Sequence, residues 1–199
     1  ANGVFLNTGP TGSGKTTTLY SILNILNKPE VKIITVEDPI EYQIEGLLQT
    51  PTNDKEGYTF STALRALLRQ NPDIMMVGEI RDNETAEVAV QASLTGHLVL
   101  STIHTNNAAG AVQRMLNMGV SPSDIASAVN AFMAQRLVRK LCDCKEKITL
   151  PETDKVKISE VLKTISPKSG VEIPPIGEVY KPKGCEKCNQ SGYSGRMGI

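Results

Sequence analysis

A chain of 199 residues with 21 basic and 21 acidic side chains carries no net charge to draw it towards nucleic acid or an anionic membrane. It has no Trp and only 4% aromatic residues, too few for the stacking platforms on which single-stranded nucleic acids lie. No apolar run approaches the roughly 20 residues of a membrane-spanning helix and no signal peptide is visible, while the length suffices for one full core and a small appendage.

The chain opens directly on a buried-strand pattern over residues 3–8 and stops at Gly198 and Ile199, where another strand begins. It therefore reads as a piece cut at both ends. Gly9, Pro10, Thr11, Gly12, Ser13, Gly14, Lys15 and Thr16 then fit the P-loop pattern G-x-x-x-x-G-K-[ST]. Backbone N–H groups of such a turn wrap phosphates, helped by the positive end of the helix that follows. Lys15 reaches the outer phosphates, the Thr16 hydroxyl ligates Mg²⁺, and Thr17 continues the cradle into a helix over residues 15–26. The implied ligand is a nucleoside triphosphate.

Residues 31–36 read as a strand running into Glu37-Asp38-Pro39, followed by a turn-rich loop over 50–57. Phe60, Ala63, Leu64, Leu67 and Leu68 share one helical face, with Arg65 and Arg69 off it and Asn71-Pro72 as the stop. Residues 74–77 form a short apolar strand ending at Gly78-Glu79. Asp82 or Asn83 caps a helix reaching about residue 95, with Gly96 beyond its end.

A strand over 98–103 and a helix over 108–118 come next. Ser121, Pro122 and Asp124 then supply an N-cap, a first-turn proline and an acid for a helix expected to run to Lys140. From Cys142 the composition turns rich in Lys, Pro and Gly, with one helix expected over 153–165. The expected organisation is an α/β core over 1–141, a small cysteine module over 142–192, and a return to the core over 193–199. No internal repeat is visible.

ATP hydrolysis needs a phosphate cradle, Mg²⁺, an oriented water and positive charge on the transferring group. The apolar strand before Glu79 looks like a Walker B element, with Gly78-Glu79 where an Asp is common. Glu79 is thus a candidate to hold Mg²⁺ through water or to orient the nucleophile. Glu37 is a second strand-end acid placed to face the same site. His97 and His104 flank one strand, and a lone histidine there is often structural. Arg81 and Asp82 admit two readings, phosphate-side groups or an ion pair holding the strand end.

These motifs together carry a family resemblance. Val36-Glu-Asp-Pro-Ile-Glu41 resembles the Asp box of the ATPases that power type II secretion and type IV pilus assembly. Residues 71–82 resemble their Walker B region, residues 95–105 their His box, and the order matches from Val4 to the C-terminal residues. The resemblance implies a RecA-like P-loop NTPase domain with a central, mostly parallel sheet, working in a homo-hexamer. It implies that Lys15 and Thr16 hold phosphate and Mg²⁺, that Glu37 and Glu79 handle metal and water, and that His104 senses the γ-phosphate or links to a neighbouring subunit. It also implies an N-terminal domain outside this chain that brings arginines to the γ-phosphate, so that the piece alone binds nucleotide but turns over slowly.

Cys142, Cys144, Cys185 and Cys188 form two close pairs. Cys185 and Cys188 have good zinc spacing, while Cys142 and Cys144 are one residue closer than the family's usual C-x₂-C. Zinc is the expected state of the four thiolates; free thiols and a disulfide are the alternatives. By resemblance, a tetracysteine module marks secretion and pilus-extension ATPases and is missing from retraction ATPases.

The expected function is therefore an ATP-driven motor acting on an inner-membrane platform protein, cytoplasmic and peripheral at the inner face of the membrane. Neither a transmembrane segment nor a nucleic-acid partner is expected. A RecA-like nucleic-acid motor and a nucleotide-binding scaffold with little turnover are the competing readings. Type II secretion, type IV pili and competence pili are not separated by these motifs.

Overall fold

Apolar strands that alternate with helices need cover on both faces, and the arrangement of this chain supplies it. The computed structural model describes residues 2–166, 169–170 and 179–199. The chain divides into two compact units, Ala1–Leu137 with Gly198–Ile199, and Val138–Met197.

The first unit is built on β1 (Gly3–Thr8), β2 (Ile33–Glu37), β3 (Leu48–Pro51), β4 (Ile74–Val77), β5 (Leu98–Ile103) and β6 (Val129–Ala134). They form one sheet in the order β3-β2-β4-β5-β1-β6, with every pair parallel. Alternate residues go to opposite faces. Val4, Leu6, Ile34, Val36, Met75, Val77, Val99 and Ile103 enter one core cluster. Ile33, Ile74, Met76 and Leu100 enter the other, against Leu19, Tyr20 and Leu23 of α1 (Lys15–Leu26).

The first cluster is covered by α2 (Phe60–Leu68), α3 (Asn83–Leu94), α4 (Ala108–Asn117) and α5 (Pro122–Ala128). Each of these four helices is capped by its own side chain, from Thr59, Asp82, Asn107 and Ser121 respectively.

The structure corrects the sequence-based reading at two places. Residues 48–51, outside any expected strand, form β3 at the sheet edge, where Pro51 ends the strand without costing an inner ladder bond. The helix expected to reach Lys140 instead stops at Ala128 and gives way to β6 and then β7 (Leu137–Leu141). The cause is a bulge. Val4 faces Val129 but Phe5 faces Ala131, so Asn130 is an extra residue in β6. Val129 and Phe132, three apart, therefore both pack on the first cluster, and the spacing imitates a helix. Strand pairing wins because β6 satisfies the otherwise open edge of β1.

In the second unit β8 (Glu146–Ile148) pairs antiparallel with β9 (Val179–Lys181), and β10 (Tyr193–Gly198) pairs with β7. Between β8 and β9 lies α6 (Glu152–Lys163), which has no buried residue. The Arg139 guanidinium lies 3.8 Å from the Tyr193 ring centre, a cation–π contact across the strand pair. No helix among the described residues is long and apolar enough to cross a membrane.

Candidate active site

In an open parallel sheet the carboxyl ends of the strands are where ligands bind. Here β1, β2, β4 and β5 end at the P-loop, Glu37, Glu79 and His104 respectively. The loop from Gly9 to Gly14 turns on two glycines that no larger residue replaces. Gly9 has φ +147°, and a side chain there would collide with the Gln135 carbonyl oxygen at 2.4 Å. Gly14 has φ +86° and opens α1 without any side-chain cap, unlike α2 to α5. The first N–H groups of α1 are thus available to an anion.

Lys15 is nearly buried and folds over the loop. Its Nζ donates to the carbonyl oxygens of Gly9 at 3.0 Å and Pro10 at 3.2 Å. Burial lowers its pKa, and the negative charge of Glu79 partly opposes that shift. Thr16 is half-buried and Thr17 exposed in the first turn, with Thr11 and Gly12 exposed at the loop tip and Ser13 beneath.

Glu79 is 16% exposed and is held on both carboxylate oxygens. Arg81 pairs with Oε1, and His104 Nε2 lies 3.1 Å from Oε2. Burial raises the Glu79 pKa, but the hydrogen bonds and charges of Arg81 and His104 outweigh it and leave the group below the ordinary carboxylate value. Arg81 also approaches Asp38 at 3.7 Å and lies over the Phe60 ring. Its ion pairs thus join the acids that follow β2 and β4. Asp82 is the N-cap of α3, accepting from Thr85 N at 2.8 Å.

Glu37 sits differently. At 2% exposure its carboxylate accepts from Tyr20, from Thr35 Oγ1 at 2.5 Å and from Gln49 Nε2 at 3.1 Å, three neutral donors from three elements. The contact with Glu37 and burial both raise the Tyr20 pKa, burial more strongly. The site therefore brings Lys15, Glu79 and His104 together at its surface and keeps Glu37 within the wall.

β5 ties the parts to one another. Thr102 Oγ1 donates to Gly78 O at 2.8 Å, Ser101 Oγ donates to Val77 O at 2.7 Å, and Thr8 Oγ1 bonds to Thr105. His97 lies at the other end of β5, its Nδ1 2.9 Å from Ala92 O at the end of α3, so it takes no part in this cluster. Sequence reasoning missed Tyr20, which reads as a core residue of α1, and Gln135, which falls in the segment misread as helix. Gln135 is buried beneath the P-loop, and Arg136 beside it donates to its carbonyl oxygen at 2.9 Å.

The four cysteine sulfurs lie together in the second unit, all within 4.8 Å of one another. Cys142 to Cys185, Cys144 to Cys188 and Cys185 to Cys188 are 3.9, 3.9 and 3.7 Å apart. A tetrahedral zinc with bonds of about 2.3 Å requires sulfurs about 3.8 Å apart, so the donor set fits that ion. Backbone N–H groups of Cys185 and Gly192 reach Cys188 Sγ at 3.2 Å each, the contacts a thiolate ligand needs.

The sequence as a whole, residues 1–199, matches the family described as "Type II/IV secretion system protein". It is 55% identical over its full length to the type II secretion system ATPase E of Vibrio cholerae, covering 37% of that protein. It is 50% identical over 99% of its length to the type IV pilus assembly ATPase PilB of Acinetobacter baylyi, covering 33% of it. The chain thus spans about a third of the length of these relatives. Among solved structures, the pilus retraction motor PilT with bound ADP superposes with a TM-score of 0.65 at 34% identity, over 81% of this chain and 53% of that one. A P-loop at the end of β1, acids at the ends of β2 and β4, a histidine at the end of β5 and this match make the chain a member of the type II/IV secretion system protein family.

Proposed function

We propose that this chain is the ATP-hydrolysing domain of a motor for type II secretion or type IV pilus assembly. The observation that carries the proposal is the convergence of Lys15, Glu79 and His104 beside an uncapped P-loop helix. ADP in the related PilT structure supports the choice of ligand.

Nucleotide phosphates offer Lys15 a full negative charge in place of two carbonyl oxygens, so the ammonium is drawn out of the loop onto the phosphates. The N–H groups opening α1 and the loop backbone complete the cradle. Thr16 would hold Mg²⁺, which neutralises phosphate charge when bound. Glu79 stays ionised beside Arg81 and His104, and each of its oxygens keeps a lone pair to orient the attacking water. His104 Nε2, facing Glu79, is placed to report whether that acid is engaged. Glu37 supports the site from within through Tyr20, Thr35 and Gln49.

Cys142, Cys144, Cys185 and Cys188 would hold one structural Zn²⁺, which closes the loops of the second unit. The tetracysteine set favours secretion or pilus extension over retraction. The full protein would act as a homo-hexamer at the cytoplasmic face of the inner membrane, on a platform protein, with further arginines from outside this chain. An arginine supplied in that way is worth about 10³–10⁵ in rate.

The test uses a fluorescent ATP analogue on the chain and steady-state hydrolysis on the full-length protein. Lys15→Ala should abolish binding, and Glu79→Gln should bind ATP yet hydrolyse it poorly. Full hydrolysis by both variants would overturn the assignment.

A further inference from the structure

The P-loop of this chain rests on one side chain that belongs to no phosphate-binding motif. Gln135 follows β6 directly and is 8% exposed. Its Nε2 donates to the Ser13 carbonyl oxygen at 2.9 Å. Its Oε1 accepts from Asn7 Nδ2 at 2.9 Å and from Thr18 Oγ1 at 2.9 Å. Its backbone N–H donates to Thr8 O at 2.8 Å, which fixes the residue against the last position of β1. One amide thereby grips the strand before the loop, the loop itself and the first turn of the helix after it.

The two outer glycines of the loop make room for this contact. A Cβ on Gly9 would lie 2.4 Å from the Gln135 carbonyl oxygen, and one on Gly14 would lie 3.0 Å from Gln135 Nε2. The charged groups nearby are engaged elsewhere. Lys15 binds the carbonyls of Gly9 and Pro10, and Arg136 binds those of Gln135 and Asn106. Only a side chain with both a donor and an acceptor satisfies Ser13 O, Asn7 and Thr18 at once, and a glutamine does so without adding charge beneath bound phosphates.

We infer that Gln135 is a positioning residue for nucleotide binding, which holds the P-loop in its phosphate-ready shape from the edge strand. The bulge at Asn130 belongs to the same device, because it sets the register in which β6 delivers Gln135 beside Thr8. The inference rests on the nucleotide-binding reading of this site.

Titration of the chain with Mg²⁺ and mant-ATP tests it, with thermal unfolding of the nucleotide-free protein as the second readout. Gln135→Leu, which orphans the buried Ser13 carbonyl, should weaken binding by about tenfold or more. Gln135→Glu keeps the acceptor but loses the donor, and should also weaken binding. Thr18→Val removes one donor while keeping the Ser13 contact, and should weaken binding less than either. A Gln135 that serves only the packing of β6 would lower the melting temperature and leave the dissociation constant of the folded protein unchanged; that result overturns the inference. If both Gln135 variants fail to fold, Thr18→Val decides, and unchanged affinity there counts against it. Failure of the unmodified chain to bind mant-ATP would instead overturn the nucleotide reading itself.

Discussion

Nε2 of His104 lies 3.1 Å from Oε2 of Glu79, so the residue that follows β5 holds the acid that follows β4. The contact crosses two neighbouring strands whose register is fixed from Ile74 opposite Leu98 to Val77 opposite Ser101. Replacing His104 by Ala frees one carboxylate oxygen and removes one of the groups that keep Glu79 ionised. Hydrolysis by the full-length protein should fall while mant-ATP affinity stays close to the starting value. Glu79→Gln should cost more, about 10²-fold or greater, as expected for loss of a group that orients the nucleophile. Losses that add in the double variant would show that His104 acts through something other than Glu79.

The depressed pKa of Glu79 makes a prediction about acid stability. Its ordinary value is 4.5, and in the folded chain it is lower. The unfolded chain therefore takes up this proton first as pH falls. The ionised pairing contributes in full above 4.5 and is lost as pH drops through that value towards the folded one. Urea unfolding of the original chain and of Glu79→Gln should differ at pH 7, and the difference should shrink as pH falls below 4.5. A gap that does not change with pH would remove Glu79 from the acid limb.

Most of the candidate site was legible because its parts are local. A P-loop, a strand-end acid and an N-cap each announce themselves within a dozen residues, and Asp82, Ser121 and Gly96 all stand where the sequence places them. The relations between the parts were not legible. Gln135 lies 122 residues from Ser13 and 128 from Asn7, and its segment carries helical spacing only because of a bulge. Tyr20 reads as one more apolar position of α1, and nothing local shows that its hydroxyl ends on Glu37. Pairing across a sheet, rather than periodicity along it, decides such contacts.

Tyr20→Phe tests the buried network. The substitution keeps the ring and its edge-on contact with Tyr42, but leaves a Glu37 oxygen with one donor fewer in a site closed to water. An orphaned buried acceptor costs about 1–3 kcal/mol. Chemical denaturation should show a loss in that range, with mant-ATP affinity changed little because Lys15 and the loop are untouched. A loss below about 0.5 kcal/mol would place water or a rearranged side chain on the freed oxygen.

The cysteine cluster allows the last test to separate zinc from free thiols. Four sulfurs all within 4.8 Å of one another are hard to keep together without a cation, since deprotonated thiols repel one another and protonated ones are weak donors. Among its described residues the surrounding unit is short of alternatives. Its helix α6 buries nothing, and its strands β8 and β9 have three residues each. Protein purified without chelator should therefore carry one zinc per chain by elemental analysis. Cys188→Ser should lower that content, because Cys188 is the sulfur that receives the Cys185 and Gly192 N–H groups. Removing the metal should open residues 138–197 to limited proteolysis, since binding energy of this kind is folding energy. Zinc well below one per chain, with the same protease resistance before and after chelation, would leave the cluster as four packed thiols.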